Sequence, residues 1–304
     1  MAELVEAGAS LRSARLRISA ALWRRPWLKL GLLLAAPVLA FAVVYLGALV
    51  SLFVSAFWQI DAFTAAVIHK WTLDNFKTLW NDHTYWRITG RTIGIAAAVT
   101  VTDAVLAFPL AYFMARLATP RLRALLFIAV LLPLWSSYLV RIYAWRTILA
   151  KDGALNWFLN GIGLPDTGLA YTNTAMWIVF SYVWLPFMVL PVYAALERIP
   201  DSYLEASQDL GAKGSRTLRS VILPLALPGI VAGSIFTFSL TLGDYITPTL
   251  VGGAGSTFIG NIVYSTGLGV SGNLPFAAAF AAIPLAIMAV YLTLAKRTGA
   301  FEAL

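Results

Sequence analysis

The chain has 304 residues, of which 60% are apolar and 12% charged, with a formal net charge of +8 and no cysteine. A soluble globular protein carries about twice that charged fraction, and the apolar residues here run in blocks too long for a soluble core. The lack of cysteine excludes disulfides, thiolate metal sites and cysteine nucleophiles; the positive charge reads as membrane topology, not nucleic-acid binding.

Residues 1–29 form a basic segment with Arg12, Arg15, Arg17, Arg24, Arg25 and Lys29. The apolar stretch that follows is far longer than the roughly 7–15 residues of a cleavable signal region, so it predicts a retained first span over 30–57. A helix crossing a bilayer needs about 20 mainly apolar residues. Further spans are expected at 92–115, 124–149, 175–196, 222–242 and 275–295. Lipid cannot satisfy irregular backbone, and these blocks are too long for barrel strands, so helix is the only assignment. The expected fold is an all-α membrane protein with six transmembrane helices over 30–296 and a tail at 297–304.

Between the first two spans, residues 58–90 carry Trp58, Trp71, Trp80 and Trp86, which suits an interfacial element. Gly90 and Gly94 have the G-x-x-x-G spacing that lets helices approach closely, but one copy carries little weight. Asp103 lies in the second span. It either attracts an ammonium group or pairs with Arg141 or Arg146 of the third span, because an intramembrane acid is costly unpaired. The two arginines read as snorkelling to the outer interface. Tyr138, Tyr143, Trp145, Tyr182, Trp184 and Tyr245 could stack on ammonium groups or simply populate an interface. Pro186 and Pro191 interrupt the fourth span and predict flexing there. Residues 243–274 are rich in glycine and hold one acid, Asp244, which either guides a cation or caps a loop; this stretch is expected to dip partly into the membrane.

Other signals carry little. GLGVSG at 267–272 fits G-x-G-x-x-G but follows no strand, so a nucleotide site fails on context. His69 and His83 stand fourteen residues apart and give no metal-ligand pattern. H-E-x-x-H and G-x-S-x-G are absent, and no nucleophile–base pair is visible, so no catalytic residue and no metal ligand is expected.

Lys and Arg placement sets the orientation. The N-terminal segment, Arg116, Arg121 and Arg123, then Arg198, Lys213, Arg216 and Arg219, and finally Lys296 and Arg297 together hold 15 of the 22 basic residues. Both termini are therefore expected to be cytoplasmic, as is the connection at 197–221. That connection is the most informative stretch. Pro200 breaks the incoming helix, and Ser202 with Glu205 makes an S-x-x-E capping box that predicts a short new helix. Tyr203, Ala206, Ser207 and Leu210 fall on one face, and Gly211 is placed to end the helix in a left-handed cap.

Glu205, Ala206, Ser207, Gly211, Leu223, Pro224 and residues 228–230 resemble the EAA motif of ABC importer permeases. Ser207 stands for the motif's second alanine, and Leu218 where an aromatic often stands. Residues 131–156 and 241–253 are similar to spermidine/putrescine-type permeases, and the whole resemblance covers most of 90–295. It implies a permease subunit in the bacterial inner membrane that imports polyamines or another small amine, amino acid or opine-like solute. It further implies that the helix around Tyr203, Leu204, Glu205, Ala206, Ser207, Leu210 and Gly211 docks on a separate ATPase. The implied partners are two ATPase copies that bind ATP and magnesium, a second permease, and an extracytoplasmic solute-binding protein. This chain has no G-x-x-x-x-G-K-[ST] loop, so ATP hydrolysis belongs to a partner. The candidate solute path comprises Asp103, Tyr182, Trp184, Asp244 and Tyr245.

Overall fold

The computed structural model describes residues 26–61, 63–269 and 272–299. The arginines of the expected N-terminal segment, Arg12 to Arg25, lie outside the described residues, as does the tail beyond Gly299. The chain divides into two compact units, Met1–Ser55 and Ala56–Leu304.

In the first unit, α1 (Pro26–Ala40) runs through a π-helical stretch, Phe41–Leu46, into α2 (Gly47–Ser55). Pro37 lies inside α1 and has no N–H to return to the preceding turn, and the helix widens just downstream. Leu33–Ser55 is long and apolar enough to cross a bilayer.

The second unit opens with a small antiparallel hairpin of β1 (Gln59–Ile60) and β2 (Val67–Ile68), followed by α3 (Asp74–Asn81). Asn75 holds this element together by donating to the carbonyls of Ala56 and Trp58 at 2.8 and 2.9 Å. The second span, α4 (His83–Tyr112), begins well before the expected residue 92, because Asp82 caps it by accepting from the Thr84 amide at 2.8 Å. It ends in a π-helical turn, Phe113–Leu117.

The third span is not one helix. α5 (Pro120–Leu131) passes into a 3-10 turn at Leu132–Trp135, and α6 (Tyr138–Leu149) then leaves at a new angle. The two halves, Pro120–Trp135 and Tyr138–Gly161, are bent by 94°. Pro133 removes a backbone donor, and the Ser136 hydroxyl donates to the Pro133 carbonyl at 2.7 Å, closing a turn where the helix would have continued. The described residues thus hold five long apolar helices, or six spans if the bent pair counts as one. After α7 (Ala154–Gly161), α8 (Asn173–Glu197) runs unbroken through Pro186 and Pro191.

The connection then forms α9 (Asp201–Asp209) and α10 (Gly214–Thr217). A π-helical stretch, Leu218–Ile222, leads into the fifth span, α11 (Leu223–Gly243). Beyond it, α12 (Ile246–Leu250) and α13 (Ile259–Gly267) fold back into the bundle, with Val251 and Phe258 buried in its core. The last span is α14 (Leu274–Lys296), capped by Asn273, which accepts from the Phe276 amide at 3.0 Å.

Two apolar clusters fill the trunk made by α4, α8 and α11. One lies toward the 197–221 connection and contains Ala107, Met114, Met188, Leu196, Ile199 and Ile222; the other contains Val99, Ile142, Phe180, Trp184 and Phe258. Gly229 and Gly233 set the approach of α11 to α8. A side chain at Gly229 would strike the Ala195 methyl and lie 2.6 Å from the Pro191 carbonyl; one at Gly233 would lie 2.7 Å from the Met188 sulfur. By contrast, Gly90 and Gly94 face open space and pack nothing.

Candidate functional site

Helix α9 sends one apolar side chain into the bundle and leaves most of its surface free. Leu204 packs against the apolar cluster of Met114, Leu196 and Ile222. Glu205 and Ala206 are exposed, Tyr203 is half exposed, and Leu210 is 88% exposed. Burial of a leucine removes ~1.5–3 kcal/mol of unfavourable hydration, a gain that Leu210 does not make within this chain. Tyr203, Ala206, Ser207, Leu210, Arg216 and Val221 line a groove of about 470 Å³ beside the helix. The four residues of the expected face are therefore brought together.

The start of the helix differs from expectation. Pro200 is the N-cap and no side chain caps the helix, so the Ser202–Glu205 capping box is not formed. Pro200 holds the extended geometry of the cap itself (φ −65°, ψ 142°). That moves the first helical residue to Asp201 and places Ser202 inside the first turn. The other end matches. Gly211 has φ +75°, its amide donates to the Gln208 carbonyl at 2.8 Å, and the Ala212 amide donates to the Ser207 carbonyl at 3.1 Å. These are the two bonds that close a left-handed helix end. The Ser207 and Thr217 hydroxyls, 2.9 Å apart, tie the outgoing chain to the helix.

Two arginines read from the sequence only as topological charge complete this end of the bundle. Arg116 donates to the Asp201 carboxylate at 2.7 Å, to the Leu196 carbonyl at 2.7 Å and to the Ile199 carbonyl. Arg123 donates to the carbonyls of Met114 and Ala115 at 2.9 and 3.1 Å and stands 3.7 Å from Glu197, which also accepts from the Tyr193 hydroxyl at 2.8 Å. The sequence shows two arginines at a short turn and, far along the chain, a helix end whose carbonyls need donors, and only the fold brings the two together.

The five residues expected to line a path do not converge. Asp103 is fully buried, and neither carboxylate oxygen has a hydrogen-bond partner. The Ser181 hydroxyl is likewise buried without a hydrogen-bond partner. The expected pairing with Arg141 or Arg146 is not found. Arg146 turns to the Tyr171 hydroxyl at 3.2 Å, and the Arg141 guanidinium lies 5.9 Å from the Tyr138 ring with two of its nitrogens buried and unpartnered. Asp244 is a loop cap. Its carboxylate accepts from the Ile246 amide at 2.8 Å, the Thr247 hydroxyl at 2.6 Å and the Tyr138 hydroxyl. Trp184 is buried, its ring stacked on Tyr138 at 5.5 Å, and Tyr182 packs on Trp145. Tyr245 alone opens on a cavity, of about 580 Å³, where it stacks on Tyr264 at 4.5 Å beside Tyr143 and Asn261. No cluster of three or more metal-ligating side chains occurs among the described residues.

Comparison with known proteins adds a family. The profile described as "Binding-protein-dependent transport system inner membrane component" matches residues 107–298. The inner membrane ABC transporter permease protein YdcU of Escherichia coli K12 is 49% identical over 301 residues, covering 95% of each chain. The spermidine/putrescine transport system permease protein PotB of the same organism is 36% identical over 210 residues, 68% of this chain and 75% of PotB. Among solved structures, a bacterial ABC transporter that imports the acidic polysaccharide alginate superposes with a TM-score of 0.70 at 19% identity, over 92% of this chain and 99% of that one.

Proposed function

The chain belongs to the family of binding-protein-dependent transport system inner membrane components, as a membrane permease subunit of an ABC importer, and we propose that it moves polyamines under the drive of a separate ATPase docked on α9. The observation that carries the coupling is the exposed face of Tyr203, Ala206 and Leu210 at the edge of a groove, on a helix closed by Gly211. Nucleotide-driven closure of two ATPase copies would displace this helix and bias the permease pair between inward-open and outward-open arrangements. ATP and magnesium would sit in the ATPase. A second permease would complete the path, and a solute-binding protein would deliver cargo at the outer face, with both termini of this chain in the cytoplasm.

PotB supports the polyamine reading, since the similarity covers two thirds of this chain. One observation favours a second reading, a small amino acid or opine-like solute. The unpartnered nitrogens of Arg141 lie beside Tyr138, and a buried guanidinium is stabilised by a carboxylate.

The test is uptake of radiolabelled putrescine and spermidine into cells that express the whole importer, with unlabelled amino acids as competitors. Polyamine uptake lost with Leu210→Glu supports both parts. Uptake that only amino acids support, or competition by amino acids alone, moves the cargo to the second reading. Full uptake by Leu210→Glu overturns the coupling.

A further inference from the structure

The guanidinium of Arg116 touches three parts of the bundle at the point where α9 begins. Its side chain is 13% exposed, whereas its carboxylate partner Asp201 is 80% exposed. It grows from the Phe113–Leu117 turn that ends the second span, where Met114 is fully buried and Ala115 nearly so. From that anchor it meets the carbonyl of Leu196, which also accepts from the Ile199 amide at 3.3 Å, the carbonyl of Ile199 just beyond the end of α8, and the first residue of α9. Arg123 fixes the anchor in turn, by holding the carbonyls of Met114 and Ala115.

Pro200 gives the α8–α9 junction an extended link with no N–H, so backbone hydrogen bonding alone ties the two helices weakly there. Chain connectivity would pass a push on α9 to α8 and α11. It gives no direct route to the second span, which lies far away in sequence. We propose that Arg116 is a positioning residue that carries displacement of α9 into the second span, so that α4 moves with the coupling helix. This rests on the reading that α9 docks on an ATPase. A planar fork is suited to the task, because it holds two carbonyls and a carboxylate in fixed geometry; a lysine ammonium at the same place is a point charge on a flexible stem.

The natural sequence has no cysteine, so single-cysteine reporters need no further change to the chain. In membranes holding the full importer, Arg87→Cys reports on the outer end of α4 by maleimide labelling with and without ATP plus vanadate. Gln208→Cys reports on docking by cross-linking to a cysteine placed in the ATPase groove. With Arg116 present, nucleotide is expected to change labelling at position 87 severalfold. With Arg116→Ala that change is expected to vanish while the position 208 cross-link remains, and Arg116→Lys should restore only part of it.

A nucleotide response at position 87 that persists in Arg116→Ala overturns the proposal. So does its absence when Arg116 is present, or loss of the cross-link in Arg116→Ala, which would make Arg116 a prop for α9 alone. If Arg116→Ala does not accumulate in the membrane, Asp201→Asn decides, since it keeps both carbonyl bonds; a reduced response supports the proposal and an unchanged one sinks it. Failure of the docking reading is separately visible, as absence of the position 208 cross-link with Arg116 intact.

Discussion

Gly211 offers a test whose size follows from the structure. At φ +75° the residue sits in the left-handed region, and a side chain built there meets nothing within 4 Å. The cost of substitution is therefore a backbone cost, about 1–2 kcal/mol for alanine and more for a β-branched residue, with asparagine least affected. Since ~1.4 kcal/mol is tenfold in an equilibrium, Gly211→Ala is expected to lower the population of the closed cap by about 5–30-fold. How far uptake falls depends on how firmly the docked ATPase holds the helix, so the order is the diagnostic: asparagine near the unsubstituted protein, alanine lower, valine lowest. The assay is initial-rate putrescine uptake, normalised to membrane content by quantitative immunoblot. Equal uptake by the asparagine and valine variants would refute the argument, because sterics at the empty site do not distinguish them and only the backbone does.

Asp244→Asn should lower the thermal midpoint of the purified protein, with roughly 1.5–3 kcal/mol lost for each bond that depended on the charge, while leaving the KM for transport unchanged; a raised KM at unchanged stability would return Asp244 to the path. Asp103→Asn puts a neutral amide of the same shape in place of a buried carboxyl that has no hydrogen-bond partner, so uptake and midpoint should hold or the midpoint rise, and lost uptake in a normally inserted protein would contradict this. Gly229→Val drives a branched side chain into Ala195 and Pro191 and should destabilise by about 1–3 kcal/mol or more, visible as lost yield of folded protein, whereas Gly94→Val should be tolerated. In the element at 56–82, amide donors from Thr64 and Phe63 hold the Asp61 carboxyl below its ordinary range. The Thr72 hydroxyl and Lys77 do the same for Asp74, and the Thr84 amide for Asp82. Their contribution is thus complete above about pH 4 and lost as pH falls through the lowered values, so protease sensitivity within residues 56–82 should rise only in that acid range.

The spans were legible because lipid imposes a simple rule on length and polarity, and α8, α11 and α14 begin and end within a few residues of expectation, save the helical lead-in to the fifth span from Gly214. The start of α4 was missed because Asp82 caps it in a polar stretch that hydropathy does not score. The bend in the third span was hidden by continuous hydrophobicity: Pro133 and the two serines at 136–137 are unremarkable in a membrane helix until a hydroxyl takes the carbonyl that the next turn would have used. The glycine pair that packs helices was missed, since G-x-x-x-G occurs at both 90–94 and 229–233 and only tertiary packing tells them apart. At the candidate site, Gly211 could be read because a left-handed cap has a residue preference. The partners of Arg116 could not, because a long side chain chooses its acceptors from elements 80 or more residues away.

These placements sort the polar chemistry of the bundle by level. At one end, arginines satisfy the carbonyls that close α8 and pair with the start of α9; at the other, Asp244 gathers the Ile246 amide and the Thr247 hydroxyl that follow α11 and holds Tyr138 of α6. Between them α8 and α11 lie in near backbone contact along Gly229 and Gly233, with no polar group needed at the seam. Two helices packed this closely resist sliding past each other, since each ångström would drive a methyl or a carbonyl into a neighbour. A helix of 25 residues such as α8 spans about 37 Å. The pair is therefore suited to act as one rod from the coupling helix to the Tyr138–Trp184 stack, which adjoins the bend in the third span. On the proposed coupling, a shift of α9 that the Arg116 contacts hand to α8 is carried by this rod to the place where the third span is already broken.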